Sequence, residues 1–144
     1  MATIITPVFR PVQALGKDVS NYLKAAQYWY KSDKILYTDT SPVTIFRIPS
    51  GCVVVACACE INPLWTGTSP VLSLGVSGTT GRHMATTDIT TATAGFYVKA
   101  TPGPVFYDYA TGADLIVTIG GSSLTAGGAY FWIAVRFYDI LQQP

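Results

Sequence analysis

Charged side chains are scarce in this chain. Only 12% of its 144 residues are Asp, Glu, Lys or Arg, about half the share usual in soluble domains. Nine basic and eight acidic residues leave a formal net charge of +1. That balance argues against a nucleic-acid partner, which is held by a concentrated basic surface. The asymmetry that exists is local. Residues 1–34 carry Arg10, Lys17, Lys24, Lys31 and Lys34 against Asp18 and Asp33, while the remainder is slightly acidic. A mildly cationic segment on a mildly acidic body suits an acidic neighbour or plain solvent.

Groups that perform chemistry are equally sparse. His83 is the single histidine, in Gly81-Arg82-His83-Met84. A general base needs an acid or nucleophile within hydrogen-bond reach. Asp88 is near in sequence, but no nucleophile motif surrounds any Ser or Thr, so a hydrolase using His83 is the weakest of the readings. The carboxylates are scattered singly, without the paired spacing of glycoside hydrolysis or the spacing of a calcium loop. The glycine-rich stretches lack the lysine of a phosphate loop. No catalytic residue, cofactor or metal is predicted, and the chain reads as non-enzymatic.

Cysteine occurs three times, at Cys52, Cys57 and Cys59. In one extended strand Cys57 and Cys59 share a face and Cys52 takes the other. A pair two apart is poorly placed for a disulfide, and further metal ligands are wanting. Buried free thiols and a reducing compartment are therefore expected. No apolar run reaches transmembrane length, so no membrane partner is expected. The first residues lack a basic start followed by an apolar core, which predicts assembly in a cytoplasm.

What the chain does have is β-forming sequence: 49% hydrophobic and 12% aromatic residues, with abundant Thr and Gly. The length suits one domain with its own core. Strands are predicted at 34–37, 43–48, 52–61, 71–76, 96–98, 105–109, 114–119 and 129–141. They are separated by Gly/Pro turns at 49–51, 101–104 and 120–123. Residues 78–95 show no clear period. The fold class is all-β, an antiparallel β-sandwich or jelly roll. Cys52–Ile61 reads as a central strand apolar on both faces and covered on both. Residues 1–33 form a separate N-terminal extended arm, with Pro7 and Pro11 early and 18–31 open between helix and strand, and 34–144 form the single β-sandwich domain.

Aromatic residues mark the predicted contacts with partners, because Trp and Tyr anchor interfaces. Tyr22, Tyr28, Trp29 and Tyr30 in the arm and Trp65 in the loop after the central strand are the candidate interface residues. On the last strand Tyr130, Trp132, Arg136 and Tyr138 share one face, opposite Phe131, Ile133, Val135 and Phe137. The first set suits an inter-subunit or sheet-edge contact. Exposed tryptophans also serve as sugar-stacking platforms, so carbohydrate binding is a competing reading.

Ile48-Pro49-Ser50-Gly51 leads into a long strand, an Asn-Pro loop and Leu72-Ser-Leu-Gly75. Later, Leu115-Ile-Val-Thr-Ile-Gly-Gly121 is followed by Leu124-Thr-Ala-Gly127 and a closing strand ending Val135-Arg-Phe-Tyr138. Over roughly residues 34–140 this pattern resembles small structural proteins of tailed bacteriophages, the jelly-roll capsid decoration or cement proteins. Ser77-Gly-Thr-Thr-Gly-Arg-His-Met84 stands where that family often has an acidic loop. The resemblance implies a virion protein of the capsid surface, assembled in the host bacterial cytoplasm. It implies contact with the major capsid protein, self-association as a homotrimer, and no catalytic residues. The alternative is a carbohydrate-binding head- or tail-fibre module of a virion.

Overall fold

The computed structural model describes residues 3–7, 28–99 and 107–137. Within them the chain forms β1 (Thr3–Pro7), β2 (Tyr28–Lys31), β3 (Ile35–Leu36), β4 (Val43–Ile48), β5 (Cys52–Ile61) and β6 (Thr66–Val76). It continues with β7 (Thr79–Met84), β8 (Gly95–Val98), β9 (Tyr107–Tyr109), β10 (Ala113–Ala126) and β11 (Gly128–Phe137). A single 3-10 turn spans Thr86–Asp88. Every described strand pairing is antiparallel.

Two sheets result. The larger runs β1-β2-β11-β5-β8, with β3 also on β11 and β9 also on β5; the smaller runs β4-β10-β6-β7. Successive strands from β4 to β6 alternate between the sheets, β6 and β7 form a hairpin, and β10 and β11 alternate again. Treating β8 and β9 as two halves of one edge strand gives two four-stranded sheets with jelly-roll connectivity, extended by β1. The predicted fold class is the observed one.

The core lies between the sheets. Cys52, Val54, Cys59, Phe131 and Ile133 from the larger sheet meet Ile45, Leu72, Leu74, Leu115 and Val117 from the smaller. Each buried Val, Leu, Ile or Phe among them contributes about 1.5–3 kcal/mol by leaving water. On β10, Leu115 and Val117 are fully buried and Ile119 packs against the core, as the sequence pattern requires; Ile116 between them is buried as well, where the ladder to β4 slips.

The cysteines are free and Cys57 and Cys59 share a face as expected, but Cys52 does not take the opposite one. Cys52 and Cys59 are both in the core, and Cys57 packs against it. The cause is a bulge: β11 pairs Ala134 with Ala56 but Val135 with Val54, leaving Val55 as an extra residue. One inserted residue switches the inward phase from even to odd positions. The strand therefore reads apolar in both phases because its phase changes partway along, and Ala56 and Ala58 beyond the bulge are only half-buried. Burial pushes the thiols of Cys57 and Cys59 up to about 12 and that of Cys52 to about 11.

Residues 78–95, which show no clear period in sequence, contain β7 and the 3-10 turn. Two further segments differ. The turn predicted at 120–123 lies inside β10, where the ladder with β6 slips twice. Residues 28–31, assigned to the arm, form β2 inside the larger sheet, paired with β1 on one side and β11 on the other. The Pro-Gly-Pro turn near 102 and the arm residues 8–27 lie outside the described residues.

Candidate partner interface

Strand alternation decides which arm aromatics reach the surface. Tyr28 and Tyr30 stand in register with Val135 and Ile133, whose side chains point into the core. Both tyrosines pack inward, and Tyr30 stacks on Phe46 with ring centroids 5.2 Å apart. Burial is the main reason the Tyr30 hydroxyl titrates above its ordinary value, with Cys52 and Tyr28 adding to it. Trp29 and Lys31 consequently take the outer face, beside Ala134 and Trp132.

The outer face of the larger sheet continues across β11, β5 and β8. Lys31, Trp132, Ala58 and Val98 make one transverse row; Tyr130, Glu60 and Phe96 make the next. Tyr97, between Phe96 and Val98, packs towards the core, so its two neighbours are turned out and are each 66% exposed. The small side chain of Ala58 leaves room for Phe96 to reach Trp132, with centroids 6.4 Å apart. Lys31 Nζ lies 4.2 Å from the Tyr130 ring centroid and 4.9 Å from that of Trp132. These are cation–π contacts, worth about 0.5–1 kcal/mol at exposed sites. The result is an apolar, aromatic surface with a cationic margin.

Trp65, a predicted interface residue, is 2% exposed. Its indole Nε1 donates to the Gly128 carbonyl at 3.2 Å, and its backbone N–H donates to the Thr91 carbonyl at 2.9 Å. It closes the end of the sandwich where the chain crosses from β5 to β6, so it is a core residue and offers nothing to a partner. Tyr22 lies outside the described residues. Of the predicted set, Trp29 is the member on the outer face. Phe96, Val98 and Lys31 were missed there. The signal was present in the alternation of Phe96-Tyr97-Val98, but three residues are too few to tell which phase faces in.

His83 is 3% exposed, and its Nε2 lies 2.5 Å from the Tyr109 hydroxyl. Burial, then the positive charges of Arg82 and Lys99, push its imidazole down to about 4. Asp88, considered as its partner, accepts the Ala85 backbone N–H at 2.8 Å. A hollow of about 310 Å³ opens beside β3 and β4 near Asp33, Asp39 and Thr44. The Asp39 carboxylate there accepts the Leu36 N–H at 2.8 Å. Among the described residues no group of three or more side chains suited to a metal ion occurs, and no helix is long and apolar enough to cross a membrane.

Two solved structures are similar to this one in fold. The fold is that of phage capsid chains. One match is a chain of the acidic stable capsid structure of Helicobacter pylori bacteriophage KHP30, with a TM-score of 0.60 at 12% identity, covering 77% of this chain and 87% of that one. Another is a chain of the cyanophage Pam1 capsid asymmetric unit, with a TM-score of 0.54 at 12% identity, covering 77% and 84%. At that identity the likeness is one of fold. No family model and no curated protein matches the chain.

Proposed function

We propose that this protein is a non-enzymatic structural component of a bacteriophage virion, seated on the capsid surface as a decoration protein. The observation that carries the reading is the outer face of the larger sheet. Phe96 and Val98 are turned to solvent beside Trp132 and Tyr130, and Lys31 bounds them. Large exposed apolar residues in one patch mark a contact surface, and Trp and Tyr are the residues that supply its energy. The shared fold of two phage capsid structures supports the setting. Fold alone does not assign a role, so the claim rests on this face and on its partner being the major capsid protein. Self-association as a homotrimer completes the proposal, since three copies of a modest contact gain by avidity.

The test is co-sedimentation of the purified protein with phage shells that lack it. Wild-type protein is expected to pellet with shells and Val98→Asp to remain in the supernatant while keeping its circular dichroism. Equal pelleting of the two proteins sinks the assignment of this face. Light scattering on the free protein checks the trimer. The competing glycan-binding module has lost Trp65 as a stacking platform and rests on Trp132; a glycan array with wild type and Trp132→Ala decides it.

A further inference from the structure

The two sheets are tied together along one side by side chains rather than by backbone ladder. β7 is the outermost strand of the smaller sheet, and β9 lies at the edge of the larger one beside β5. His83 on β7 meets Tyr109 on β9 through its Nε2. The adjacent Arg82 guanidinium sits 4.0 Å from the centroid of the Tyr107 ring, also on β9. Lys99, just after β8, donates from Nζ to the Arg82 carbonyl at 3.2 Å. The His83 ring stands edge-on to Tyr107 with centroids 6.2 Å apart, and Tyr107 and Tyr109 are 4.8 Å apart. His83 and Tyr109 are 3% and 4% exposed, so the contact between them is shielded from water.

We propose that this seam is an acid-operated clasp: protonation of His83 frees β7 from β9 while the rest of the sandwich stays folded.

The groups around His83 explain the sign. On its own strand stands Arg82. Lys99 approaches from the end of β8. β9 offers the phenols of Tyr107 and Tyr109, and β5 the Cys57 thiol near Tyr109; burial holds the Tyr109 phenol and the Cys57 thiol above their ordinary values. Asp108 lies between the two tyrosines on β9 and is exposed on its other face. The Asp88 carboxylate accepts the Ala85 N–H. β6 has no ionisable side chain, and the Asp114 carboxylate of β10 is bonded to Arg47 at 3.1 Å. An imidazolium here meets two cations and a dry surround, and opening hydrates it. On the β6 side the β6–β7 ladder is irregular between Leu74 and Val76. Segments with few regular ladder bonds open without global unfolding.

His83 is the single histidine, so its imidazole proton signal in the full-length protein needs no assignment. We expect that signal to titrate with a midpoint far below the ordinary value, near pH 4. Cys57 is the reporter of opening, read by labelling with a disulfide reagent active in acid and by peptide mapping, relative to the unfolded chain at each pH. Its labelling should rise on the order of 100-fold between pH 7 and pH 4, from the difference between the buried and the free imidazole. Cys52 and Cys59 should stay protected. In His83→Gln the acid dependence should vanish. Arg82→Gln, which removes an adjacent cation on a half-exposed side chain, should raise the His83 midpoint. A midpoint at the ordinary value, equal labelling of all three cysteines, or acid labelling retained in His83→Gln would each overturn the clasp. An unmoved midpoint in Arg82→Gln would do so independently.

Discussion

The Trp65 indole lies where a side chain at Gly127 would have to stand. A Cβ on Gly127 would come 2.6 Å from the indole Cγ, and the backbone there has φ of +149°. Indole and glycine lie at opposite ends of the sequence separation that closes the sandwich, and the indole Nε1 bonds the next carbonyl, Gly128.

Gly127→Ala should therefore destabilise the fold twice over, by overpacking of about 1–3 kcal/mol and by backbone strain at a positive φ. Trp65→Ala should cost about 3–5 kcal/mol through the cavity it leaves. Urea denaturation midpoints check both. A Gly127→Ala protein as stable as wild type would mean the indole can move aside.

Truncation separates the sheet from the arm. Deleting residues 1–33 removes β2, strips the Tyr30–Phe46 stack and bares the edge of β11. Deleting residues 1–27 keeps those contacts. The longer deletion should be less stable than the shorter by about 2–4 kcal/mol, the worth of the aromatic burial lost. Equal midpoints in denaturant would show β2 to be dispensable.

Substitutions on the outer face should divide binding from stability. Phe96→Ser and Val98→Asp change side chains that are mostly in water, so stability should move by less than about 0.5 kcal/mol. Binding to shells should fall at least about tenfold, as for loss of an interface anchor. Lys31→Ala should cost about 0.5–1 kcal/mol in stability through its contacts with Tyr130 and Trp132. A stability loss in Val98→Asp as large as its binding loss would count against the face as an interface.

Stability should fall with acid through His83. Its folded value of about 4 lies below the ordinary 6.5, so below pH 6.5 the unfolded chain takes up the proton first. The contribution is complete above that pH and is lost between pH 6.5 and pH 4 at up to about 1.4 kcal/mol per unit, on the order of 3 kcal/mol in all. Denaturation series in wild type and His83→Gln measure the difference.

The thiols should be inert in the native protein. Burial pushes Cys57 and Cys59 up to about 12 and Cys52 to about 11, which leaves almost no thiolate at pH 8. Alkylation followed by mass measurement should show no adduct natively and three in denaturant. Rapid native modification of Cys52 would contradict its place in the core.

The period of the apolar residues determined the all-β class, the limits of β4 and β5, and the inward phase of β10 and β11. Those are local properties: alternation along ten residues encodes a face whatever strand lies opposite. Tyr130 and Trp132 were legible as an outward pair for the same reason. Tertiary structure decided the rest. The cysteine phase turned on the extra residue Val55, and a bulge depends on the partner strand, here β11, as much as on the bulged one. Trp65 became core because Gly127, 62 residues later, leaves a gap of its shape. Tyr28 and Tyr30 turned inward because β11 accepted β2 in a particular register. His83 found Tyr109 only when two sheet edges met, a juxtaposition that no spacing along the chain records.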